Sequence, residues 1–121
     1  MNKTQLPVFS LLFMYVSICF TIVPSAAPGN FSVTSTSSLS LDVSWDAIPR
    51  EQQQGKLLGY RVYYKIKSSA IEQNKTVASS QLAFKLRNLE YKVYSVRVAG
   101  YTAVGVGKST DVQNRIPKEG G

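Results

Sequence analysis

LSLDVSW, residues Leu39 to Trp45, is the stretch that decides the fold. Leu39, Leu41, Val43 and Trp45 fall on one side of an extended backbone, and Ser40, Asp42 and Ser44 fall on the other. A strict period of two predicts a strand with one buried and one wet face. The strand ends at the chain's single tryptophan, with Asp46 and Pro49 behind it as turn residues. Such a face must close against a second apolar surface, and three later runs can supply one.

Leu58 to Lys67, LGYRVYYKIK, sends Tyr60, Val62, Tyr64 and Ile66 one way and Arg61, Tyr63, Lys65 and Lys67 the other. Leu82, Phe84 and Leu86 alternate with Lys85 and Arg87 outside. Tyr94 to Tyr101, YSVRVAGY, points Tyr94, Val96, Val98 and Gly100 inward. Behind Pro28, Phe31 and Val33 give a short first strand, and Thr34 to Ser38 reads as a polar turn. Asp46–Leu57 and Ser68–Lys75 read as loops, with Thr76–Ala78 as a short edge strand. Gly105 and Gly107 fall in a hairpin turn, where a positive φ suits glycine. Thr110 to Ile116 forms the last strand, and Pro117 ends it. No segment carries a 3.6-residue apolar period. Six or seven short strands separated by turns predict a β-sandwich.

The chain has 121 residues, 44% apolar and 17% charged, which describes one folded domain with an appendage. It contains no histidine, and its one cysteine is Cys19. Without histidine it cannot build a Ser-His-Asp or Cys-His centre, and it lacks the commonest metal ligand. Lysine or carboxylate chemistry is what remains open, so no catalytic, cofactor or metal residues are expected and the chain is not read as an enzyme.

Lys3 precedes an uncharged run of eighteen residues, Leu6 to Val23, and small residues follow at Ser25, Ala26 and Ala27. That order describes a secretory signal peptide over residues 1–25, cut after Ser25 or one or two residues later. The domain then covers residues 26–118 and a short tail covers 119–121. The competing reading is an uncleaved anchor, because eighteen helical residues nearly span a hydrocarbon core; Pro7 and the scattered Ser and Thr weaken it. Cys19 leaves with the leader, so no disulfide supports the mature domain. The net charge is +7, and losing Lys3 leaves 13 basic and 7 acidic residues, a net +6. The excess favours sulfated glycans, anionic headgroups or acidic proteins as partners, while export argues against nucleic acid. Nothing calls for a small-molecule substrate. A lysine-rich soluble surface explains the same charge without any partner.

The chain resembles a fibronectin type III domain from Pro28 to about Pro117. The residues that carry the likeness are PGNFSV in the first strand, SLDVSW with Trp45, GYRVYYK with Tyr60 and Tyr64, Leu89 before a corner, YSVRVAGY from Tyr94, and GVGKST entering the last strand. The resemblance implies an all-β, seven-stranded immunoglobulin-like β-sandwich in which Trp45 packs on the third-strand tyrosine. It also implies that Tyr94 ties its hydroxyl back to the backbone at a corner. Leu89 and Tyr94 are separated only by EYKV, shorter than the family's usual corner, and Gly100 stands where alanine is usual. Neither Arg-Gly-Asp nor Trp-Ser-x-Trp-Ser occurs.

The expected core is Trp45, Tyr60, Val62, Leu89, Tyr94 and Val96. In the sandwich the third, sixth and seventh strands share a sheet, so Arg61, Tyr63, Lys65, Lys67, Arg97 and Tyr101 are expected on one outward face. Cations interleaved with tyrosines there suit a sulfated glycan or an acidic protein; a solvated face whose long side chains cover one another is the alternative. Asn30 and Asn74 head N-x-Ser/Thr sequons, and Asn74 falls in an expected loop. The resemblance implies an extracellular interaction or adhesion module. The alternatives are a membrane receptor ectodomain and an accessory domain of an extracellular enzyme.

Overall fold

In a computed structural model, the described residues are 23–36 and 38–119. Most of the expected signal peptide, and with it the anchor reading and Cys19, lies outside them. No helix among the described residues is long and apolar enough to cross a membrane.

The elements in chain order are β1 (Gly29–Thr36), β2 (Ser40–Asp46), a single-turn helix α1 (Arg50–Gln53), β3 (Gly59–Ile66), β4 (Gln73–Ala78), β5 (Ala83–Leu86), β6 (Tyr94–Tyr101), β7 (Val106–Ser109) and β8 (Gln113–Arg115). One sheet runs β1-β2-β5; the other runs β4-β3-β6-β7, with β8 also paired to β6. All pairings are antiparallel. The two-residue alternation of β2 puts Leu41, Val43 and Trp45 inward, against Tyr60, Val62 and Tyr64 of β3 and Tyr94, Val96 and Val98 of β6.

Trp45 and Tyr60 meet across the core, with ring centroids 5.5 Å apart and planes tilted by 58°. Tyr60 is fully buried, and its hydroxyl accepts the Ile48 N–H at 3.1 Å. Ile48 and Leu57 are buried although they belong to the segment expected as an open loop. They cap the sandwich where β2 crosses to β3. Gly100 lies beneath them: a Cβ there would stand 2.6 Å from Ile48 Cδ1 and 3.0 Å from Leu57 Cδ1, so alanine would crowd the cap. At the opposite pole the Tyr94 hydroxyl accepts the Glu90 N–H at 3.0 Å, and Leu89 beside it is buried. The corner closes despite its short spacing.

Several boundaries differ from expectation. Leu39 is outside β2: Ser38 and Leu39 both have positive φ, 65° and 55°, and tighten the β1–β2 hairpin, so Ser40 takes the first buried position. No Gly, Asn or Asp marks that turn, so the alternation alone extends the strand back to Leu39. β1 runs on to Thr36, because Thr34, Ser35 and Thr36 pair with Asp42, Leu41 and Ser40. The expected last strand, Thr110 to Ile116, shortens to β8, and β7 forms ahead of it, overlapping the expected hairpin turn, which brings the total from seven to eight. Between them, Thr110 bonds Val98 both ways, donating its N–H to the carbonyl and accepting the Val98 N–H on Oγ1. Gly105 and Gly107 do not have positive φ, and Gly107 belongs to β7. Its lack of a side chain serves close approach, since a Cβ would run into the backbone and ring of Pro24.

That contact bears on the leader boundary. Pro24, assigned to the cleaved segment, is fully buried, and the Ser25 N–H donates to the Gln52 carbonyl at 2.9 Å. A cut after Ser25 would remove both contacts.

Replacing Tyr60 with Phe leaves the ring and strands the Ile48 N–H. Chemical denaturation of Y60F is expected to show a loss of about 1–3 kcal/mol, the range for orphaning a buried donor. A loss below about 0.3 kcal/mol would mean that water reaches the Ile48 amide.

Candidate interaction face

The outer face of the five-stranded sheet follows from the register of its two central strands. With Tyr60, Val62 and Tyr64 turned inward, Arg61, Tyr63 and Lys65 must turn outward. Opposite them on β6 stand Ala99, Arg97 and Ser95, and Tyr101 stands opposite Gly59. On the flank, β4 sets Asn74 opposite Tyr63 and Thr76 opposite Arg61.

The side chains on this face interlock. The Arg97 guanidinium lies over the Tyr63 ring, 4.0 Å from its centroid. The same group grips the Glu72 carboxylate with Nε at 3.2 Å and Nη2 at 3.0 Å. Arg61 lies over Tyr101 at 4.9 Å. The Arg61 Nε is buried without a hydrogen-bond partner among the described residues, so the ring contact is what this guanidinium has gained for its lost water. Tyr101 reaches across its neighbour because Gly59 has no side chain: a Cβ there would stand 3.1 Å from Tyr101 Cε1 and would also meet the Val77 carbonyl.

Of the six residues expected on this face, Arg61, Tyr63, Arg97 and Tyr101 form two stacked arginine–tyrosine pairs. Lys65 shares the face, but its Nζ donates to the Ser69 carbonyl at 3.0 Å. Lys67 lies past the end of β3, exposed, beside Ile66 and Val93 at the pole of the sandwich. The face is therefore a braced aromatic–cation surface and not an even row of free positive charge. Glu72 neutralises Arg97, and sequence reasoning missed it because it falls in a polar stretch with no periodicity.

Asn74 also differs from expectation. It is in a strand, β4, and not in a loop; β4 is an edge, so its side chain remains exposed beside Tyr63. Asn30 has φ 46°, and its Nδ2 donates to Asp46 Oδ2 at 2.6 Å. A glycan attached to that nitrogen would have to share or break this bond. Among the described residues no three His, Cys, Asp or Glu side chains are grouped to hold a metal ion.

A family model for the fibronectin type III domain matches residues 26–115. The chain belongs to the fibronectin type III family. The fibronectin type III chain is 36% identical over 88 residues to mouse protein sidekick-2, covering 70% of this chain and 4% of that protein. It is 34% identical over 88 residues to chicken cell adhesion molecule DSCAM, again 70% of this chain and 4% of the relative. Among solved structures, the third fibronectin III domain of the human KIAA0343 protein superposes with a TM-score of 0.75 at 29% identity, covering 84% of this chain and 88% of that one. The chain thus spans a small fraction of the curated relatives and nearly all of a single solved domain.

A side chain stacked on one ring and paired with one half-exposed carboxylate adds little stability. Arg97→Ala is expected to lower stability by about 1 kcal/mol, and a double-mutant cycle with Glu72→Ala to return a coupling of roughly 0.5 kcal/mol. A coupling above about 2 kcal/mol in urea unfolding would identify a desolvated network instead.

Proposed function

We propose that this chain is a non-catalytic extracellular interaction module of a cell-adhesion protein. It docks a protein partner on the face built from Arg61, Tyr63, Arg97 and Tyr101. The observation that carries this reading is the pair of arginine–tyrosine stacks on the outer face of the five-stranded sheet. Tyrosine and arginine are the residues that dominate binding energy at protein interfaces. Here their rotamers are held before a partner arrives, so less conformational entropy is lost on docking. Family membership, and a relative whose name is that of a cell adhesion molecule, support the setting. They favour a place in the ectodomain of a longer adhesion protein or receptor over a free-standing secreted module. No observation favours an accessory role beside an enzyme. A sulfated glycan suits this face less well, because Arg97 is already neutralised by Glu72.

Tetramerised chain applied to intact cells tests the reading. On heparinase-treated cells, binding is expected to remain and to be lost when the cells are trypsinised, and Tyr63→Ser and Tyr101→Ser should each weaken it about tenfold with thermal unfolding still cooperative. Undiminished binding by both variants would remove this face from the account.

Asn74 and Thr76 lie on the same side of β4, exposed, so we further propose that Asn74 carries an N-glycan bordering this face. On secretion from animal cells, a glycosidase-sensitive mass increment should vanish in Asn74→Gln and persist in Asn30→Gln. The opposite pattern would assign the glycan to Asn30.

A further inference from the structure

The two sides of the sandwich are finished differently. On one side the sheets are laced together: Gln113 Nε2 donates to the Phe31 carbonyl at 2.8 Å and Arg115 Nε to the Val33 carbonyl at 3.0 Å, joining β8 to β1. On the other side the sheets end in β4 and β5, and a cleft of about 380 Å³ opens between them. Its floor is apolar, formed by half-buried Phe84 and by Tyr64, whose hydroxyl is tied to Gln73 Oε1 at 3.1 Å. Its rim carries two cations, Lys75 and Arg87; Lys85 stands opposite Asp42 in the register and so projects on the outer face of its sheet.

We propose that this seam binds a sulfated glycan chain through Lys75 and Arg87. Lys75 stands opposite Val62 in the register and so projects on the inner side of its sheet, over the cleft, yet it is exposed because β4 is an edge. Arg87 follows directly after β5 and faces the same opening. Neither is in an ion pair with a described carboxylate; Lys85, on the outer face with Asp42 at 3.2 Å, takes no part. Two unneutralised cations on facing edges offer two anchoring points to one polyanion, and the Phe84 ring offers an apolar surface to a pyranose between sulfates. Sulfated glycan is favoured over an acidic peptide because one free cation stands on each edge with aromatic rings suited to a sugar face between them. An inward lysine on an edge strand also deters strand-to-strand aggregation, which requires no ligand. The two roles differ in what they predict.

The test is heparin chromatography of the secreted, glycosidase-treated chain, with two variants that lose the same charge. Lys75→Gln/Arg87→Gln removes the seam's free cations; Lys65→Gln/Lys67→Gln removes two lysines elsewhere. The seam variant is expected to lose about tenfold in heparin affinity and to elute at lower salt, as two charge-assisted contacts imply. The other variant should stay within about twofold, and fully desulfated heparin should not retain the chain. Equal shifts for the two variants would show diffuse attraction to net charge. Absence of wild-type retention at physiological ionic strength would leave the seam charges only as guards of the strand edges. Either result overturns the proposal.

Discussion

The fold depends on one contact between the sheets, the tilted packing of Trp45 on Tyr60, and on the hydrogen bond that lets Tyr60 be there. An aromatic ring this deep brings a hydroxyl with it, and a buried hydroxyl needs a partner. The Ile48 amide provides it, and in doing so draws the segment after β2 down over the end of the core. Ile48 and Leu57 then cover that pole, and Gly100 beneath them must stay small. Tyr94 repeats the arrangement at the other pole, its hydroxyl holding the corner at Glu90. Two tyrosines, each serving a backbone N–H, fix where the connections cross, while the apolar faces supply the bulk of the driving force.

With the inner residues of β3 and β6 committed, the chemistry of the outside follows from parity. Arg61, Tyr63, Arg97 and Tyr101 have no choice of face, and their register brings each guanidinium over a ring. The positive charge of the chain is therefore spent unevenly. On the broad sheet face it is stacked or neutralised, which makes a rigid, amphipathic surface suited to a protein. Along the β4–β5 seam it is left unpaired over an apolar floor, which suits a polyanion. One sandwich thus presents two surfaces of different electrostatic character about one core.

Alternation made the core legible: Leu41, Val43, Trp45, Tyr60, Val62, Val96 and Val98 could all be assigned inward by counting in twos. So could the outward set, apart from Lys67, where the strand ends before the count does. What escaped was set by contacts distant in sequence. Ile48, an isolated apolar residue between turn formers, has no period to reveal it, and its burial depends on Tyr60. β4 has a polar sequence, QNKTVA, because an edge strand buries little; only Val77 in it is buried, so its first half looked like loop. The pairing of Arg97 with Glu72 joins residues 25 apart that no local pattern relates. Gly107 reads as a turn residue from its neighbours, whereas its role is to admit Pro24, a distant contact that no local pattern signals.

Because Trp45 is the chain's only tryptophan, its fluorescence reports the central contact without interference. The structure predicts an emission maximum well to the blue of free indole and resistance to aqueous quenchers. It also predicts a urea transition that coincides with the loss of β-sheet circular dichroism, as one cooperative core requires. Red-shifted, readily quenched emission under native conditions, or a tryptophan transition complete before the sheet signal begins to fall, would contradict a sandwich closed on Trp45 and Tyr60.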